Sequence, residues 1–114
     1  MSWSPQRKVA LFASLFGGRE DVFPLLCENG ASGSSGWAPK CRNEWKPEVC
    51  AKPRVKCSAC PNQAFVATGE AELLAHLRGR RVMGVYPMLA DDTCRLLAID
   101  LDGRSWRQDV VALR

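Results

Sequence analysis

Two groups of residues in this chain have the types and spacing that metal chemistry requires. The first lies in CRNEWKPEVCAKPRVKCSAC, where Cys57 and Cys60 are separated by two residues. That separation lets both sulfurs and the backbone amides between them turn toward one ion, as in a zinc knuckle. Cys41 and Cys50 would complete the set, although the eight residues between them make a looser second pair than usual. Four thiolates around one Zn²⁺ leave no open coordination position, so such an ion would be structural. It would also change the formal charge of the chain from +4 to +2, because four thiolates and one dication add −2. The alternative is four reduced cysteines packed as small hydrophobes.

The second group lies in LLAIDLDG, an apolar run carrying Asp100 and Asp102. On a strand, side chains two apart share a face, so the two carboxylates are expected to project together while Ile99 and Leu101 enter a core. Left alone, the carboxylates would repel and one would hold a proton; a divalent cation between or beside them removes the conflict. In two-metal centres the ions lie about 3.5–4 Å apart, activating a hydroxyl and steadying a leaving phosphate. The plain alternative is a strand that runs into an Asp-Gly turn with solvated acids.

Around the cysteines stand Trp37, Lys40, Arg42, Trp45, Lys46, Lys52, Arg54 and Lys56, cations interleaved with aromatic residues. Such a surface can hold phosphates and stack on bases. The same tryptophans could instead form the miniature core of a metal-stapled lobe, with the lysines serving solubility. Cys27 and Cys94 sit singly among apolar residues and read as packed thiols. His76 has no ligand-spaced partner and reads as a solvated helix residue.

The elements that must position these groups are short. Pro5 and RKVALFASLF predict a helix with Val9, Phe12, Ala13 and Phe16 on one face, stopped by Gly17-Gly18. ENGASGSSG (28–36) reads as a flexible loop. TGEAELLAHLRG predicts a second helix, with Thr68 as N-cap and Gly79 as its stop. RRVMGVYPML and CRLLAIDLDG read as a hairpin or neighbouring strands joined at Ala90-Asp91-Asp92-Thr93, and Ser105 would cap a third helix at WRQDVVAL. The expected fold is α+β: residues 1–36 a helix and loop, 37–66 a loop-rich zinc-binding segment, and 67–114 the start of a catalytic core containing a β-hairpin.

With 114 residues and 46% apolar content, the chain fits one small domain or a piece of a larger one. The +4 charge permits a polyanionic partner without demanding one. VALFASLF imitates the apolar core of a signal peptide, but GGRED follows where a cleavage site should be. No run reaches the roughly 18 apolar residues of a membrane span. A cytoplasmic protein is expected, and a reducing compartment favours metal ligation over disulfides.

LLAIDLDG supports two resemblances. The shorter is to the opening D-x-D-G motif of haloacid-dehalogenase-type phosphatases, which would make Asp100 a phosphorylated nucleophile and Asp102 the acid/base. Arg104 stands where that family carries Thr, and the motif sits late in the chain. The longer resemblance takes in GREDVFP, CRNEWKPEVCAKPRVKCSACPNQAF and VMGVYPMLADDTCRLLAIDLDGRSWRQD, in that order. It is to the N-terminal part of the archaeo-eukaryotic primase domain of TOTE conflict systems, and it spans about Lys8 to the end. The resemblance implies zinc ligation by Cys41, Cys50, Cys57 and Cys60. It further implies Mg²⁺ or Mn²⁺ ligation by Asp100 and Asp102, and joining of nucleoside triphosphates on a DNA template. That family's later motifs, a nucleotide-binding histidine and a further metal-binding aspartate, have no counterpart after Asp102. A truncated primase-polymerase, inactive alone, is therefore expected; a stand-alone zinc module that binds nucleic acid without catalysis is the alternative.

Overall fold

The computed structural model describes residues 2–114. The described residues fold as three α-helices and one two-stranded antiparallel sheet, an α+β arrangement. α1 is Pro5–Leu15, β1 Pro24–Glu28, β2 Ser35–Pro39, α2 Glu70–Leu77 and α3 Trp106–Ala112, with one 3₁₀ turn at Cys57–Ala59.

α1 starts where its first residues dictate. The Ser4 side chain accepts a hydrogen bond from the Arg7 amide at 3.2 Å, and Pro5 follows, where its missing N–H costs nothing. Of its expected apolar face only Val9 is buried, and Phe16 is half exposed. α2 begins one residue later than Thr68 suggested, with Gly69 at the N-cap, and Gly79 ends it in a left-handed conformation at φ 71°. Glu70 and Glu72 suit the positive end of the helix dipole. His76 is not a solvated helix residue: its ring lies 5.7 Å from that of Phe12, and its Nδ1 accepts the Met83 amide at 3.3 Å. It ties α1, α2 and residue 83 together.

β1 and β2 pair from Pro24↔Pro39 to Glu28↔Ser35, so 28–36 is not an unattached loop but includes the end of a hairpin. Asn29 organises the connection: its Oδ1 accepts from the amides of Ala31 and Ser32, and its carbonyl from Gly33, whose φ is 67°. Residues 82–84 lie along the other edge of β1, with a Leu25↔Met83 bridge and hydrogen bonds Leu26 N–H to Val82 O and Gly84 N–H to Pro24 O, each 2.9 Å. The small core forms where these pieces meet, from Val9, Val22, Phe23 and Met83. The radius of gyration is 17.5 Å, above the roughly 13 Å of a compact domain of this length, so much apolar surface stays uncovered.

The expected hairpin in 80–103 forms only at its turn. Leu89 N–H donates to Thr93 O at 2.8 Å, one Met88↔Cys94 bridge follows, and Asp91 Oδ1 accepts from both the amide and hydroxyl of Thr93. These bonds hold the Asp91 carboxyl below its ordinary pKa, the hydroxyl of Thr93 contributing most. Beyond Cys94 the ladder stops, and LLAIDLDG has no regular secondary structure. Ile99 is 55% exposed instead of entering a core, and Leu97 is 80% exposed. An apolar run becomes a strand only when a neighbour accepts its backbone hydrogen bonds, and none lies beside this one among the described residues.

Gly18 is where the fold leaves no room. A β-carbon there would stand 2.5 Å from both the Tyr86 carbonyl oxygen and Val85 Cγ2. Gly18→Ala is therefore expected to lower unfolding free energy by about 1–3 kcal/mol, measured by urea titration. Gly30→Ala, which meets nothing within 4 Å, should change it by less than about 0.5 kcal/mol; equal effects would contradict the close approach.

Candidate functional site

After β2 the chain pairs with a later segment before opening into the cysteine lobe. Arg42 N–H donates to Ala64 O at 2.9 Å, Val66 N–H to Lys40 O at 3.0 Å, and Cys41 bridges Phe65. Residues 43–63 thus form an excursion on a two-sided neck. Side-chain amides stitch its interior: Asn43 Nδ2 to Asn62 O at 2.9 Å, Asn62 Nδ2 to Val49 O at 3.0 Å, and Gln63 Nε2 to Cys57 O at 2.6 Å.

All four cysteines of the lobe are half-buried, unbridged, and line one small cavity of ≈ 20 Å³ with Val49, Val55 and Phe65 among its other walls. That volume admits a single water-sized sphere. Backbone amides point at the sulfurs: Asn43 and Ala64 donate to Cys41 Sγ and Asn62 to Cys60 Sγ, each at 3.4 Å. Two of these run from the residue two positions beyond the cysteine, as they do when a knuckle turns its amides onto a sulfur. The match to zinc is therefore in donor type and in the one cavity that the four residues share. The thiols do not yet form a cage: among the described residues, no three or more Cys, His, Asp or Glu side chains are gathered closely enough to hold a metal. Cys27 and Cys94 are exposed and take no part in the cavity, so neither is the packed thiol expected.

Beside the lobe lies an open groove of ≈ 720 Å³ whose walls include Trp37, Lys52, Lys56, Arg19, Phe65 and Tyr86. Trp37 is 57% and Trp45 66% exposed, so neither is the core of the lobe. Lys52 Nζ pairs with Glu44 at 3.3 Å and lies 5.4 Å from the centre of the Trp45 ring. Partial burial alone would lower the Lys52 pKa, but the Glu44 hydrogen bond and charge, with Cys57 nearby, outweigh it and raise it above the ordinary value. Burial raises the Tyr86 phenol, and the charge of Cys57 adds to that. Of the other cations expected around the cysteines, Arg42 uses Nη1 to hold Phe65 O at 3.3 Å, Arg54 and Lys46 are exposed, and Lys40 is half-buried in the neck. None of these four lines the groove.

Arg19 and Tyr86 were not among the sequence candidates. Their adjacency comes from the Gly18 approach and from Arg19 N–H donating to Tyr86 O at 2.9 Å. Arg19 is held by Asp21 through two bonds of 2.9 and 2.6 Å, which raise its pKa and lower that of Asp21.

Asp100 and Asp102 are both exposed, on the irregular segment between the 89–93 turn and α3. Neither has an ion-pair partner among the described residues. Ser105 N-caps α3, but its hydroxyl donates to Asp109 Oδ2 at 3.0 Å instead of accepting from the helix amides. No described helix is long and apolar enough to cross a membrane.

Comparison with known proteins gives one match. The family model described as TOTE conflict system, Archaeo-Eukaryotic Primase domain, matches residues 7–114, taking in the neck, the cysteine lobe and the D-x-D run. No curated protein and no solved structure matches the chain. Since the match runs through almost all of its length, the chain belongs to the archaeo-eukaryotic primase domain family of TOTE conflict systems.

Proposed function

We propose that this chain supplies the first metal ligands and a nucleic-acid-contacting lobe of a primase-polymerase that joins nucleoside triphosphates on a DNA template. The observation that carries the reading is the family match over residues 7–114, which takes in both the cysteine block and LLAIDLDG. It also favours the longer of the two resemblances over the phosphatase one.

In this reading Cys41, Cys50, Cys57 and Cys60 hold a structural Zn²⁺. The convergence of all four on one cavity supports it, and rotation of the thiols about their Cα–Cβ bonds would close the cage as the metal binds. Asp100 and Asp102 hold Mg²⁺ or Mn²⁺, which when bound would activate a hydroxyl and steady a leaving phosphate. The two acids contribute negative charge, solvent access and no competing cation. The exposed Leu97 and Ile99 beside them support a centre completed by other segments, because an apolar run with strand propensity that is left uncovered can still be taken into a sheet. The chain alone is then inactive.

A second reading, a zinc module that binds nucleic acid without catalysis, is favoured by one observation: no third acid joins Asp100 and Asp102 among the described residues.

Two measurements test these assignments. The purified chain should carry about one zinc ion, Cys57→Ser should weaken zinc affinity by more than the roughly 100-fold upper range for loss of a supporting group, and chelation should lower the melting temperature. A metal-free chain that melts unchanged contradicts the structural ion. Separately, Mn²⁺ should broaden NMR signals around residues 99–103 in the wild-type chain and not in the Asp100→Ala/Asp102→Ala double variant. Identical broadening in both removes the catalytic-metal assignment.

A further inference from the structure

The groove between the hairpin and the cysteine lobe has a composition that the metal chemistry does not use. Its walls carry Arg19, Lys52 and Lys56 and no carboxylate. Arg19 and Lys52 are each neutralised by an acid outside the walls, Asp21 and Glu44, whereas Lys56 has no acidic partner among the described residues. One unpaired ammonium beside two fixed cations attracts a phosphate without requiring an internal ion pair to break.

The second component is the exposed indole of Trp37. Gly84 lies beside its ring edge, where even an added β-carbon would make only ordinary contact, 3.5 Å from Cζ3 and 3.9 Å from Cη2. A ring on a paired strand and open to solvent can receive a base by stacking. Tyr86 lines the same groove, its carbonyl accepting from the Arg19 amide, and Ser58 and Gln63 add hydrogen-bonding groups to the walls. The groove of ≈ 720 Å³ is open to solvent, which suits an extended chain laid into it more than an enclosed small molecule.

We infer that this groove binds a single-stranded polynucleotide, with a base stacked on Trp37 and an adjoining phosphate held at Lys56. The inference rests on the nucleic-acid reading above for its ligand class, and it adds the place and the residues. It does not involve Asp100, Asp102 or catalysis.

The test is fluorescence anisotropy of a labelled oligo(dT) with the zinc-loaded chain across a salt series, alongside a free deoxynucleoside triphosphate and a duplex of equal length. The single strand should bind tighter than either. Trp37→Ala should weaken binding about tenfold or more, with Trp37→Phe intermediate. Lys56→Gln should make the slope of log affinity against log salt shallower by about 0.7, the value for one lost single-strand phosphate contact. Trp106→Ala removes another exposed tryptophan, one whose neighbour Arg107 lies 5.1 Å from its ring; it should change nothing. Circular dichroism melts of each variant separate lost contacts from lost folding. Oligo(dT) binding that persists in Trp37→Ala and Lys56→Gln would overturn the groove while leaving a nucleic-acid role elsewhere on the chain. Triphosphate or duplex binding as tight as the single strand overturns the polynucleotide assignment. No binding of any probe overturns both the groove and the nucleic-acid reading, without touching the metal assignments.

Discussion

The cysteine lobe must hold its shape with almost nothing apolar to bury. Between the neck strands at 40–42 and 64–66 it offers Val49, Val55 and Ala51, all only half-buried. Burial on that scale cannot offset the conformational entropy of ordering the whole excursion, about 1–2 kcal/mol per residue for the backbone alone. The remaining contributions are the backbone bonds of the neck, the amide stitches of Asn43, Asn62 and Gln63, and whatever the four sulfurs hold in common. An ion shared by the thiols would supply the missing stabilisation from a volume no larger than one water.

The same arrangement sets the surface. Because the lobe leaves the sheet directly after β2, its 3₁₀ turn lies alongside Trp37 on one side, and the Gly18 approach brings Arg19 and Tyr86 to the other. Cations and aromatic faces from five separate stretches of sequence then line one groove. Trp45 is held apart from it in a left-handed backbone conformation, φ 61°, a state that costs a side-chain-bearing residue about 1–2 kcal/mol. Its ring packs with the Lys52 ammonium, so Trp45 fixes a wall residue from behind.

How much of this was legible in the sequence varies with how local the cause is. Pro5 and Gly79 mark helix ends through their own backbone chemistry, and both marks hold. The β1–β2 hairpin went unread because SGWAP has little strand character, although Asn29-Gly30 between two short apolar stretches was the available signal. LLAIDLDG failed as a strand for the opposite reason: its propensity is strong, but pairing is not a local property and no neighbour lies beside it among the described residues. The four cysteines that the spacing grouped line one cavity, while the groove depended on a glycine contact across distant segments that no spacing rule expresses. The family resemblance was legible because it rests on the order of whole blocks, and the match over 7–114 bears it out.

Zinc K-edge X-ray absorption on the purified chain reaches the sulfur lobe directly. The account requires one zinc with four sulfur neighbours at about 2.3 Å and no nitrogen or oxygen ligand, reduced to three sulfurs in Cys50→Ser. A spectrum dominated by oxygen or nitrogen at about 2.0–2.2 Å, or one unaltered by that substitution, would mean the four thiols do not share an ion.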